Sequence, residues 1–306
     1  MPPAPPLVIL SGPTASGKSG LALALAAQFP FEIVNADSLQ VYRGMDIGSA
    51  KPTPEERVQV PHHLVDVADP DEPYNAGRFV AEADAAILEI RGRDRWPMVV
   101  GGTGMYIRAL LRGLDALPAD PEVRETLSAR WEAEGGTALH AELHAKDPAS
   151  AGRIHPADRV RVIRALEIAI VAGKPASVLR AAWEGREARY TSFFMALKPD
   201  RDRLYARIDA RVDEMFRRGL LDEVRGLLAR GYGPALKPMG ALGYRHAVSH
   251  LVGGVPLVQA VEAMKRDTRH YAKRQSTWLA AEREVAWIPG EGALGAASDR
   301  IKYCLF

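Results

Sequence analysis

Residues 12–19 read Gly12-Pro13-Thr14-Ala15-Ser16-Gly17-Lys18-Ser19, a G-x(4)-G-K-S run of the kind that wraps backbone N–H groups around phosphate. Such a loop works only between a buried strand and the start of a helix, and both flanks are present. Residues 7–10 form a short apolar run, and an Ala/Leu-rich helical stretch follows over about residues 18–28. The glycines let successive N–H groups converge at the positive end of that helix. Lys18 reaches the terminal phosphates, and the Ser19 hydroxyl is placed to hold Mg2+. The chain therefore opens as strand, loop and helix, in the nucleotide-binding (ATP-binding) style, with a diphosphate or triphosphate as ligand. The loop alone does not distinguish phosphate that is transferred, hydrolysed or discarded as a leaving group.

The pattern then alternates. Strands are expected at residues 32–36, 64–67 and 98–100, and a helix carries Phe79, Ala83, Ile87 and Ile90 on one face. Alternating strands and helices predict an α/β fold, a P-loop NTPase-like parallel sheet with helices on both faces. From residue 112 to 190 the strand signal disappears. Short helices there are punctuated by Gly135-Gly136, Asp147-Pro148, His155-Pro156 and Gly173-Lys174-Pro175, which predicts a mainly helical insertion. The core is thus expected in two parts, 1–111 and 191–306. The second part has a strand at 191–197, helices over 200–230 and 256–281, a short strand at 285–288 and a poorly ordered tail after Pro289. No apolar run approaches the roughly 18 residues of a membrane span. The N-terminus lacks a secretory signal, and the single cysteine, Cys304, excludes a disulfide framework. A cytoplasmic protein without membrane attachment is expected, and nothing argues against a monomer.

Net charge is −4 over residues 1–110, 0 over 111–197 and +6 over 198–306, so a polyanion would be met by the last third. In that third, KRDTRHYAKRQSTW (265–278) puts Arg266, Arg269, His270, Lys273 and Thr277 at helical spacing on one face, suited to a sugar-phosphate backbone; a solvated surface helix is the alternative. Asp37 closes the second strand at the sheet edge where ligands bind. It is a candidate general base or a partner of Mg2+ through water, or else a cap of the turn into Ser38. The fourth strand ends in Gly101-Gly102-Thr103 and lacks the metal-holding acid of motor-type ATPases; Asp66 on the third strand is the substitute for that role. Arg207 and Arg211, interleaved with Asp209 and Asp213, read as exposed ion pairs. His62 and His63 are adjacent, and no spacing suggests zinc.

Several segments together resemble the tRNA dimethylallyltransferase (tRNA isopentenyltransferase) family in its bacterial form. They are GPTASGKS from Gly12, NADSLQVYRGMDIGSAKP from Asn35, VGGTGMY from Val100, the ADPEVR stretch containing Arg124, RIHPADRVRVIRALE from Arg153 and YAKRQSTW from Tyr271. Only the first is common by itself; the ordered set is specific and spans nearly the whole chain. The resemblance implies transfer of a dimethylallyl group from dimethylallyl diphosphate to N6 of the adenosine 3′-adjacent to the anticodon in tRNA, with diphosphate released from the phosphate loop. It implies Asp37 as general base, Lys18 neutralising the leaving group, Thr103 near the reaction centre and Arg211 as a further diphosphate contact. Contacts to the anticodon stem-loop are implied at Asp37, Ser38, Leu39, Gln40, Thr103, Arg124, Val160, Arg161, Val162, Ile163 and Arg164, with Arg269 and Lys273 of the basic helix beside them. The alternatives are a P-loop small-molecule or nucleotide kinase, and a nucleotide-dependent RNA-binding module without chemistry.

Overall fold

The computed structural model describes residues 6–114, 117–179 and 188–305. The chain divides into two compact units, Met1–Gly113 with Arg189–Phe306, and Leu114–Ala188.

The first unit is built on six strands: β1 (Leu7–Ser11), β2 (Phe31–Asn35), β3 (His62–His63), β4 (Trp96–Gly101), β5 (Ser192–Lys198) and β6 (Ala286–Pro289). All pair in parallel, in the order β3-β2-β4-β1-β5-β6. Each of the five β1 side chains is buried, because helices cover both faces and a strand inside such a sheet has no polar side. Alternate residues serve opposite faces. Leu7 and Ile9 join Val34 and Val99 under helices α3 (Ala76–Gly92) and α4 (Gly104–Arg112). Val8 and Leu10 join Met98 and Ile33 under α1 (Lys18–Ala26). The face of α3 built from Phe79, Ala83, Ile87 and Ile90 is buried as its spacing predicts.

Three expectations change. The third strand is His62–His63, which pairs with Ile33 and Val34. Leu64 and Asp66, at φ 62° and 59°, sit in the left-handed region and cannot continue a strand. Residues 200–230 form two helices, α9 (Arg201–Arg217) and α10 (Leu220–Ala229), broken at Gly219 with φ 97°. The tail is also ordered: a last helix, α13 (Ala293–Leu305), buries Ala297 and Ile301 in the cluster under α1, and the Ser298 hydroxyl donates to Gln28 Oε1 at 2.8 Å. Pro289, Gly290, Gly292 and Gly295 punctuate the approach and first turn of this helix, which is why the residues alone read as loop. Between α10 and β6 run α11 (Tyr244–Leu251) and the 25-residue α12 (Leu257–Ala281). The short α2 (Pro54–Gln59) begins in a capping box made by Thr53 and Glu56.

The second unit holds α5 (Pro121–Glu134), α6 (Gly136–Lys146), α7 (Pro148–Ala151) and α8 (Arg159–Ala172) around Leu127, Leu139, Leu143, Val162 and Leu166. Asp147 caps α7 through Ser150 N–H and also accepts from the Ser177 N–H and hydroxyl. Burial works to raise its pKa, but these bonds win and hold it at about 2. Glu167, buried on α8, accepts from Arg124 Nη2 at 2.8 Å, Arg164 Nη1 at 2.8 Å and the Asp120 N–H at 2.9 Å. Burial again acts to raise the carboxyl pKa, and the two guanidinium groups outweigh it and leave it lowered. Glu167→Ala is expected to cost this unit about 2 kcal/mol, less than a fully buried pair because both arginines keep access to water; urea denaturation of the variant reads this directly.

Candidate active site

The phosphate loop leaves β1 at Ser11, whose hydroxyl donates to Gly101 O at 2.8 Å and fixes the loop to the end of β4. Ala15 (φ 60°) and Gly17 (φ 95°) take left-handed conformations that turn the chain into α1, and no side chain caps that helix. Its first-turn N–H groups therefore point into the loop without intrahelical partners. Not every residue of the motif offers a donor. Pro13 has no N–H, the Ser16 N–H is spent on Pro13 O, and the Thr14 N–H is donated to Gln275 Oε1 at 2.8 Å. The N–H groups of the motif left to meet a phosphate are those of Gly12, Ala15 and residues 17–19. The Ser16 hydroxyl is buried with no hydrogen-bond partner among the described residues, an unmet polar group that a ligand oxygen would satisfy.

Two cavities meet here. A recess of about 70 Å³ is lined by Lys18, Ser19, Asn35, Gln40 and His62, and a larger chamber of about 390 Å³ by Leu39, Tyr106, Ile208, Val212 and Met215, with Ser38, Thr103 and Lys237. Thr14, Asp37, Ser49, Arg211 and Tyr271 line both, so a ligand with an anionic head and an apolar body would cross between them at these side chains. Burial pulls the Lys18 ammonium down to about 8; the Asp37 carboxylate raises it and Arg211 lowers it further. Arg211 is not the exposed ion pair its spacing suggests. Burial lowers its pKa against the attraction of Asp37, and it has no ion pair among the described residues, which leaves its charge for an incoming anion. Burial, then Asp37, push the Tyr271 phenol up, so it stays protonated.

Asp37 caps its turn and also lines both cavities. Oδ1 accepts the Leu39 N–H at 2.9 Å, and the other carboxylate oxygen has no partner among the described residues. Thr103 stands beside it. Its N–H donates to Ala36 O at 3.2 Å, and its hydroxyl oxygen accepts the Ser38 N–H at 3.1 Å. Asp66 is unavailable for a metal, since Lys51 Nζ and Arg57 Nη2 each lie 2.6 Å from its carboxylate. Among the described residues no cluster of three His, Cys, Asp or Glu side chains could hold a metal ion.

The residues alone did not reveal the supports of this site. Gln275 on α12 accepts from Thr14 N–H and donates to Gly102 O at 2.9 Å, joining the loops after β1 and β4. One turn on, Trp278 fills the space where a Cβ on Gly104 would lie 2.4 Å from its ring. Glu223 on α10 accepts three consecutive N–H groups, from Asp46, Ile47 and Gly48, at 2.7 to 3.1 Å, and the Tyr244 hydroxyl at 2.7 Å. It thereby shapes the chamber wall at Gly48 and Ser49. Buried Lys51 donates to Tyr42 O, Asp46 and Asp66. A lone Gln or Glu on a helix carries no periodic signal; only the tertiary contact shows its role.

The family model described as IPP transferase matches residues 40–282, and the one described as isopentenyl transferase matches residues 5–66. A tRNA dimethylallyltransferase of Anaeromyxobacter dehalogenans is 53% identical over 283 residues, 92% of this chain and 94% of its own. The chain belongs to the tRNA dimethylallyltransferase family. A relative of the same description from Syntrophobacter fumaroxidans is 50% identical over 97% of this chain and 87% of its own. Among solved structures, the full-length tRNA isopentenylpyrophosphate transferase of Bacillus halodurans aligns with TM-score 0.74 at 38% identity, covering 99% and 97% of the two chains. A eukaryotic dimethylallyltransferase acting on tRNA aligns at 0.78 with 27% identity, over 98% of this chain and 79% of that one.

Within this family frame, the side chains expected at RNA fall into two groups. Val160 and Arg161 are 77% and 72% exposed at the start of α8. Val162 and Ile163 are buried in the core of the second unit, so their side chains pack and do not reach a ligand; they entered only as part of a contiguous segment. Arg124 and Arg164 are held by Glu167. Gln40 spends its amide on Ser49 O and Ala50 O. On the basic helix, Arg269 is paired with Asp209 at 2.5 Å and Lys265 with Asp213 at 2.8 Å, which leaves Lys273 exposed and without an ion pair among the described residues.

Two outcomes follow from this geometry. Gln275→Ala strands the Thr14 N–H and the Gly102 carbonyl and should lower unfolding stability by about 1–3 kcal/mol, while calorimetry shows diphosphate binding weakened. Lys18, with its pKa near 8, loses charge between pH 7 and pH 9. Diphosphate affinity should therefore fall about tenfold over that interval relative to the profile of Lys18→Ala, which lacks the titrating group.

Proposed function

We propose that the protein transfers the dimethylallyl group of dimethylallyl diphosphate to N6 of the adenosine 3′-adjacent to the anticodon in tRNA and releases diphosphate. The observation that carries this reading is the junction: the phosphate recess and the apolar chamber share Asp37 and Arg211. The diphosphate lies on the helix-start N–H groups with Lys18 and Arg211, and the isoprenoid carbons and the adenine enter the chamber. As the allylic C–O bond breaks, its electron pair leaves with the diphosphate, whose growing charge Lys18 and Arg211 stabilise. The N6 lone pair forms the new N–C bond, and the proton displaced from N6 passes to the free oxygen of Asp37. Thr103 holds the Ser38 backbone and, through it, the turn that presents this carboxylate. The apolar walls keep water from the allylic carbon.

Mg2+ suits the recess: the Ser19 hydroxyl and the Asp37 carboxylate line it together, and bound, it would neutralise diphosphate charge. Because the reacting base is stacked in the anticodon loop, it has to be extruded to enter the chamber. The exposed start of α8, at Val160 and Arg161, and Lys273 of α12 are proposed to contact the RNA. The protein is proposed to act as a monomer in the cytoplasm; no helix among the described residues is long and apolar enough to cross a membrane. A phosphoryl-transferring kinase is less well supported, since Asp66, the substitute metal-holding acid, is locked by Lys51 and Arg57.

The test is a single-turnover assay with unmodified tRNA, Mg2+ and radiolabelled dimethylallyl diphosphate, run beside labelled ATP. Label enters tRNA from the prenyl donor and ATP is untouched; consumption of ATP with unlabelled tRNA overturns the reading. Asp37→Asn should slow the step by about 10²-fold or more, with tRNA affinity changed by less than about twofold.

A further inference from the structure

A third cavity of about 490 Å³ lies at the carboxyl end of β5, lined by Lys198, Arg201, Tyr205, Lys273, Ser276 and Trp287. It is separate from the recess and chamber: α9 presents Ile208 and Arg211 to those and Tyr205 to this one, and α12 likewise divides Tyr271 from Lys273. The composition is unusual for a surface hollow. Three cations and two aromatic rings line it and no carboxylate does. None of Lys198, Arg201 or Lys273 has an ion pair among the described residues. The Arg201 guanidinium lies 5.3 Å from the Tyr205 ring centre and the Lys198 ammonium 5.9 Å from that of Trp287. A ring positions a cation without neutralising it, so the charge stays available to an anion. The neighbouring carboxylate of Asp200 is spent on capping α9 through the N–H groups of Asp202 and Arg203.

Cations and half-buried aromatic rings lining one hollow match a ligand that is both anionic and aromatic. We propose that this cavity binds a nucleoside phosphate, the phosphate on Lys198, Arg201 and Lys273 and the base against Tyr205 and Trp287. The same chemistry is presented by one nucleotide of an RNA strand, other than the reacting adenosine, and by a free nucleotide. The cavity is not isolated from the phosphate loop. Tyr205 packs against Leu204, Ile208 and Ala272, and Ala15 of the loop rests on the same cluster. The RNA source rests on the tRNA reading above, but the test reads binding and requires no turnover, so a protein that failed to prenylate would sink that reading and leave this one to its own result.

The experiment uses the full chain with the phosphate loop saturated by inorganic diphosphate, at about 0.15 M salt. The probes are an unmodified tRNA transcript and AMP, each titrated against wild type, Lys198→Ala with Arg201→Ala, and Tyr205→Leu. The two cations are exposed and Leu preserves the apolar packing, so all three proteins fold. If the source is RNA, tRNA affinity falls about tenfold in the double variant and about fivefold or more in Tyr205→Leu. If it is a free nucleotide, AMP affinity falls in this way and tRNA affinity is unchanged. Loss of affinity in the double variant with none in Tyr205→Leu overturns the proposal, because it describes a charged surface without a base site. So does a change below about twofold for both probes in both variants.

Discussion

The amide of Gln275 is the contact on which the site depends. Its oxygen takes the Thr14 N–H and its nitrogen donates to Gly102 O, so one side chain from α12 sets the distance between the phosphate loop and the turn that carries Thr103. A parallel sheet delivers both loops to the same edge but does not fix their spacing, since loops are free to flex once the strands end. Buried and bonded through both its oxygen and its nitrogen, the amide restrains that freedom; an imperfect pairing would leave polar groups stranded in a low-dielectric interior. Glu223 works in the same way on the opposite wall, where one carboxylate collects three adjacent N–H groups and shapes the turn through Gly48. The catalytic edge is thus braced from helices far along the chain.

That dependence explains what could be read from the residues and what could not. The phosphate loop declares itself because its glycines, lysine and hydroxyl are constrained by local geometry, and Asp37 because a strand must end where its apolar run ends. The alternation of the core followed from apolar runs that match strands and an amphipathic α3. Leu64 and Asp66 escaped because Leu64-Val65-Asp66-Val67 alternates like a strand, whereas two left-handed residues break it. The last helix escaped because Pro289, Gly290 and Gly292 just before it read as the end of ordered chain. Gln275, Glu223 and Lys51 escaped for a different reason: their partners lie on other elements, and no spacing along the chain encodes that.

Charge gave the least reliable guidance. The run 265–278 reads as one basic face, but Asp209 and Asp213 on α9 accept Arg269 and Lys265, so part of that charge holds two helices together. Arg124 and Arg164 are likewise drawn onto buried Glu167. Arg211, with an ordinary ion-pairing pattern, has no ion-pair partner among the described residues and stands beside the phosphate loop. Which cation is available depends on where the nearest acid lies in three dimensions.

The bond from the Leu39 N–H to Asp37 Oδ1 has a stereochemical consequence. A carboxylate usually offers two equivalent oxygens, exchanged by rotation about its terminal bond. Here that rotation would break the tie to the turn, so in the proposed reaction the group would work as a one-handed base whose open lone pairs have a fixed compass bearing. An amine has to arrive along that bearing to lose its proton, and a base rotated edge for edge in the chamber would present its ring nitrogens instead. In the proposed reaction, the bearing of one oxygen atom sets where the exocyclic nitrogen has to lie, before any contact reads the rest of the RNA.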